Sequence, residues 1–124
     1  MQTAKLQRIA VAALEGIKGH DIEVINTSKL SPMFERIIVA SADSTRQVKA
    51  LAHSVSVKVK EAGGEVLGME GQDSGEWVLV DLGSIVVHVM QPAVRSHYNL
   101  EELWRTGPKR TQPTNPKPTE TPQE

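Results

Sequence analysis

The chain has no cysteine, which excludes disulfides, thiolate metal ligands and thiol nucleophiles together. Aromatic residues are almost as scarce. Phe34, Trp77, Tyr98 and Trp104 are the whole set, too few and too scattered for a base-stacking platform. Neither sign of charge dominates: fourteen Lys and Arg oppose fifteen Asp and Glu, for a formal net charge of -1. No whole-molecule attraction therefore steers the protein to phosphate backbones. No apolar run approaches the roughly 20 residues that span a bilayer. The start Met1-Gln2-Thr3-Ala4-Lys5 also lacks the basic-then-apolar order of a secretory signal. These absences lead us to expect a cytoplasmic protein that binds no membrane and whose partner is another protein.

What is present suits one domain followed by a tail, given 124 residues. Leu6, Ile9, Ala10, Ala13, Leu14 and Ile17 follow the three-four spacing of an amphipathic helix, which Gly19 is expected to end in a left-handed cap. Asp21–Asn26 is short and rich in β-branched residues, and a turn-rich stretch follows from Thr27 to Pro32, so we read a strand and then a loop. Ile37-Ile38-Val39-Ala40 is the continuous apolar run of a strand covered on both faces. Ser44-Thr45-Arg46-Gln47 fits a capping box, and Val48, Leu51, Ala52, Val55 and Val59 make one helical stripe that stops at Gly63-Gly64. A strand over Glu65–Met69 would complete a right-handed parallel strand, helix, strand unit.

Trp77–Leu82 and Ile85–Met90 read as an antiparallel hairpin around a Leu82-Gly83 corner. Alternation puts Trp77, Leu79 and Asp81 on one face with Val86, His88 and Met90, and leaves Val78, Val80, Ile85 and Val87 on a wholly apolar reverse. A two-residue turn at that corner would set Asp81 opposite Ser84, Leu79 opposite Val86 and Trp77 opposite His88, with Asp81 and His88 near opposite ends of the hairpin. A short helix capped by Asn99 is expected to run to Arg105. From Gly107 the apolar residues vanish among five prolines, and a disordered Pro/Thr-rich tail is expected over 106–124.

Only two long helices are available, and both should cover the apolar reverse of a five-stranded mixed sheet. The other face would then lack a full cover, and an aromatic anchor among apolar and polar groups is the mixture of a protein interface. The competing reading has the helix at Asn99–Arg105 fold back over it. Chemistry finds less support. His20, His53, His88 and His97 have no metal-ligand spacing. Gly68, Gly71 and Gly75 lack the Gly-Lys-Ser/Thr ending of a phosphate loop and precede a strand. No serine stands in a nucleophile elbow. Asp21-Ile22-Glu23 has the carboxylate spacing that holds magnesium in nucleotidyl transferases, but the upstream Gly-Ser signature is missing.

The stretch from Gly75 to Met90, closed by Tyr98-x-Leu100-Glu101-x-Leu103-Trp104, resembles the signature of the RsfS/YbeB/Iojap family of ribosome-silencing factors. The likeness spans about residues 3 to 105 and takes in Asp21-Ile22, the Ser44-Thr45-Arg46 helix start and the Ala62-Gly63 stop. It implies an α/β fold: a five-stranded mixed sheet with flanking helices, nucleotidyltransferase-like without the active site. It also implies a non-enzymatic protein without cofactor that docks on the large ribosomal subunit through ribosomal protein L-fourteen. There it would exclude the small subunit sterically and repress translation under nutrient limitation. A homodimer when free is part of the same expectation, as is incidental contact of the tail's Lys109, Arg110 and Lys117 with ribosomal RNA. The expected contact residues are Trp77, Leu79, Asp81, Val86, His88, Met90, Tyr98 and Glu101. Phe34-Glu35, Ala42, Gln47 and Ser84 depart from the family pattern, and Ser84 removes a negative charge beside the expected interface. The alternative is a nucleotidyltransferase-like enzyme using Asp21 and Glu23.

Overall fold

The computed structural model describes residues 1–102; Leu103, Trp104 and the expected tail lie outside the described residues. The chain runs α1 (Thr3–Gly16), β1 (His20–Asn26), β2 (Arg36–Ser41), α2 (Thr45–Glu61), β3 (Gly68–Glu70), β4 (Trp77–Asp81), β5 (Ile85–Met90) and α3 (Pro92–Tyr98). The strands form one five-stranded mixed sheet in the order β1-β2-β5-β4-β3. Only the β2-β5 pair is parallel. The expected α/β class and mixed sheet are what the structure has.

Helix formation follows the stripes seen in the sequence. Leu6, Ala10, Ala13 and Leu14 of α1 and Val48, Leu51, Ala52, Val55 and Val59 of α2 bury against Ile38, Ala40, Val78, Val80, Val87 and Val89 of the sheet. The Ser44 hydroxyl accepts from the Gln47 amide at 3.1 Å, which is the expected N-cap. Gln47 completes only half of a capping box. Its side-chain Oε1 accepts from the Asp43 amide, one residue before the cap, and its Nε2 donates to the carbonyls of Ile17 and Lys18 at the end of α1. That end differs from expectation too. Lys18, at φ 64°, takes the left-handed conformation. Gly19 has another reason to lack a side chain: a Cβ there would meet the Leu14 carbonyl at 3.0 Å and Leu51 at 3.3 Å.

Three further expectations are corrected. The strand after α2 does not lie beside β2: β5 is the parallel neighbour of β2, and β3 sits at the far edge. A hairpin rich in Val and Ile fills the buried centre, where the short Gly68-Met69-Glu70 segment would waste burial. The hairpin corner is Gly83-Ser84, because the Leu82 amide donates to the Ile85 carbonyl and the Leu82 side chain is buried. Burial holds Leu82 in the ladder instead of the turn, and Asp81 tightens the turn by accepting from the Gly83 amide at 2.9 Å. Finally, a helix over Pro92–Tyr98 precedes the expected one. Asn99 is its left-handed C-cap at φ 49°, and residues 100–102 are helical again. The dipeptide Gln91-Pro92 carries the missed signal, since proline is favoured in the first helical turn.

Gly71 fixes where β4 begins. At φ 92° it lies in the region that favours glycine, and a Cβ would fall 2.1 Å from the Trp77 carbonyl oxygen. Gly71→Ala is therefore expected to lower unfolding free energy by more than about 2 kcal/mol in urea titration. Gly68→Ala, in a position with nothing within 4 Å, should stay within about 0.5 kcal/mol of wild type.

Candidate functional site

Two long helices occupy one side of the sheet, so the other side must be covered by whatever remains. Ile37, Val39 and Met90 are buried there beneath Phe34, Trp77, Val94 and Leu100. This cover reaches β2 and the end of β5 but leaves β4 and the hairpin end of β5 half-bare. Trp77, Leu79, Asp81 and Val86 are all half-buried. The expected face is thus correct in membership, since Trp77, Leu79, Asp81, Val86, His88 and Met90 do share it. The cross-strand partners are not as expected: Trp77 pairs with Met90, Leu79 with His88 and Asp81 with Val86. Asp81 and His88 are consequently diagonal neighbours, nearer than the expected register placed them.

The structure moves some expected contact residues inward. Met90 is wholly buried under the indole, so it supports the surface from below. His88 is 8% exposed. Glu101 turns to Arg95, its Oε2 lying 2.7 Å from Nε, with both side chains almost covered. Arg95 also donates to the Ser41 hydroxyl at 2.8 Å, so this ion pair fastens the end of the described chain to β2. Tyr98 remains 55% exposed and packs on Trp77, ring centroids 4.9 Å apart and tilted by 48°.

Trp77 Nε1–H donates to His88 Nδ1 at 3.0 Å. Burial of the imidazole lowers its pKa from 6.5 to about 4, so it is neutral at physiological pH. The remaining bare surface is a groove of about 520 Å³ over Leu79, Val86 and His88, walled by Phe34, Ile37, Leu67 and Leu100, with Asp81 at its rim. Met33 and Leu67 stand beside it 80% and 62% exposed, too apolar and too adjacent to be scattered surface residues. Sequence reading missed Met33, Phe34, Leu67 and Leu100 as site residues. A Met-Phe pair ending a turn-rich loop was the available signal. Buried Thr27 holds that loop in place, its hydroxyl donating to the Phe34 carbonyl and its amide to the Glu35 carbonyl, while the Glu35 amide donates to Ser84 at the hairpin turn.

The carboxylates of the enzymatic alternative line a separate polar cleft of about 650 Å³ with Ser41, Arg95 and Glu101. Simple alternation does not hold there. The register slips between His20 and Glu23, Asp21 takes φ 50°, and its Oδ2 lies 3.1 Å from His20 Nδ1. His20 is also bonded to Asp43 at 2.8 Å, and the two hydrogen bonds, Asp21 first, raise its pKa. Among the described residues no group of three or more His, Asp or Glu is placed to hold a metal ion. No described helix is long and apolar enough to cross a membrane.

Because His88 binds a proton more readily unfolded than folded, its contribution to stability is full above pH 6.5 and is lost as pH falls toward 4. His20 acts oppositely, stabilising below its unfolded value, but it is exposed and screened. Urea titrations of wild type and His88→Gln at pH 7 and 4.5 should show the wild type losing on the order of 2 kcal/mol more than the variant on acidification. Equal losses would place the titration elsewhere.

Comparison with known proteins agrees with this architecture. The family described as "Ribosomal silencing factor during starvation" matches residues 1–124. Ribosomal silencing factor RsfS of Chromobacterium violaceum is 59% identical over 104 residues, covering 84% of this chain and 85% of that protein. Its namesake in Bacillus subtilis is 37% identical over 108 residues, covering 87% and 92%. A Chromobacterium violaceum protein solved by X-ray crystallography superposes with a TM-score of 0.83 at 57% identity, over 90% of this chain and 92% of that one. The family match over residues 1–124, together with close sequence and structural likeness over most of the chain, makes it a member of the ribosomal silencing factor family.

Proposed function

We propose that this protein acts in the cytoplasm, without catalysis, by docking on ribosomal protein L-fourteen of the large ribosomal subunit. Bound there, it fills space the small subunit needs and lowers translation when nutrients are short. The observation that carries this reading is the groove over Leu79 and Val86, whose floor is apolar apart from His88, whose rim holds one carboxylate, and whose edges expose Met33 and Leu67. Burying such a patch supplies affinity, while Asp81 beside it favours a basic neighbour and sets orientation and rate of approach. The same patch is available to a second copy of the chain when large subunits are absent, which gives a free homodimer that competes with docking.

The enzymatic alternative has the polar cleft in its favour, since Asp21 and Glu23 both line it. The bulge at Asp21 works against a magnesium pair there.

Cosedimentation with isolated large subunits tests the docking reading, followed by addition of small subunits. Wild-type protein should pellet with large subunits and keep small subunits from joining. Leu79→Ala removes a half-exposed side chain, so it should weaken binding by about 1–2 kcal/mol with little loss of stability. Trp77→Ala should cost more on both counts, because the indole also covers Met90 and bonds His88. Unimpaired binding by Leu79→Ala and Val86→Ala together would move the interface to another surface.

A further inference from the structure

One polar group on the groove floor has a donor to spare. An indole N–H can only donate, so the 3.0 Å contact with Trp77 requires His88 Nδ1 to be the acceptor. The single proton of the neutral imidazole then sits on Nε2. That N–H has no acceptor among the described residues, and His88 keeps part of its surface open on the groove. His88 lines the groove opposite Leu79, two residues from Val86.

Building on the docking reading above, we infer that His88 selects the partner: its Nε2–H donates to a neutral oxygen acceptor, a carbonyl or hydroxyl, that lies next to the apolar side chain filling the groove. The surroundings disfavour charged and purely apolar partners. A cation finds no lone pair at Nε2 and is drawn to Asp81 instead. An anionic acceptor meets the Asp81 carboxylate, a diagonal neighbour of His88, and loses its water against Phe34, Leu67 and Leu100. A purely apolar surface would bury the N–H without an acceptor, which costs affinity. A neutral oxygen acceptor satisfies the donor without bringing charge. The indole thus serves two ends, as apolar contact and as the group that fixes the imidazole tautomer.

Two measurements test this on the full chain. In the free protein at pH 7, the ¹⁵N spectrum of the His88 ring should report the Nε2–H tautomer. In binding to isolated large subunits, His88→Gln keeps both an acceptor for Trp77 and an N–H donor, so it should stay within about threefold of wild type, whereas His88→Phe should weaken binding at least about tenfold. Amide spectra verify that both variants are folded. An Nδ1–H or charged ring overturns the inference. So does His88→Phe binding like wild type while Leu79→Ala is weakened, an outcome that leaves the docking site standing. Wild-type binding by Leu79→Ala and Val86→Ala as well would remove the docking reading and this inference together.

Discussion

A five-stranded sheet has two faces to keep from water, and the described residues supply only two long helices. Both pack on the same side, where α1 and α2 enclose one continuous core with the inward residues of β2, β4 and β5. The second side receives a seven-residue helix, a loop and the turn that follows Asn99. That material suffices for Ile37, Val39 and Met90 and runs out over Leu79 and Val86. Apolar area left uncovered in this way costs roughly 25 cal/mol per Å² relative to burial. A partner that covered the groove would recover that free energy, which is why the proposed docking is placed on the incomplete layer.

The bare patch keeps its shape because its edges are fastened. Arg95 ties the end of the described chain to Ser41 and Glu101, and Thr27 holds the loop that presents Met33 and Phe34. The Trp77–His88 hydrogen bond satisfies a part-buried indole N–H that would otherwise lack a protein partner. Preorganisation of this kind reduces the ordering entropy lost on association. It also sets one directional donor in an otherwise greasy floor, so that the proposed recognition would be more than burial of area.

Much of the site was legible in residue order because strand periodicity is local. Alternation alone assigned Trp77, Leu79, Asp81, Val86, His88 and Met90 to one face, and a misplaced turn did not disturb that assignment. Moving the corner from Leu82-Gly83 to Gly83-Ser84 shifts the register by two residues and so preserves every facing. What the shift altered was neighbourhood: it made His88 the partner of Leu79 and brought Asp81 diagonal to it. Met33 and Leu67 were invisible as site residues, and Leu100 was seen only as part of the family signature, because no local pattern tells which segments converge on a groove.

The amino-acid order alone determined the helix stripes, the Ser44 cap, the apolar strands and the two unlike faces of the hairpin, since each depends on side chains within a few residues of one another. The family likeness also lay in that order, in the run from Gly75 to Met90. Only tertiary structure decided that β5 would take the place beside β2, that Met90 and His88 would lie below the surface, and that Glu101 would face Arg95. Those outcomes turn on which segments compete for a limited buried area, and that competition is settled by the whole fold.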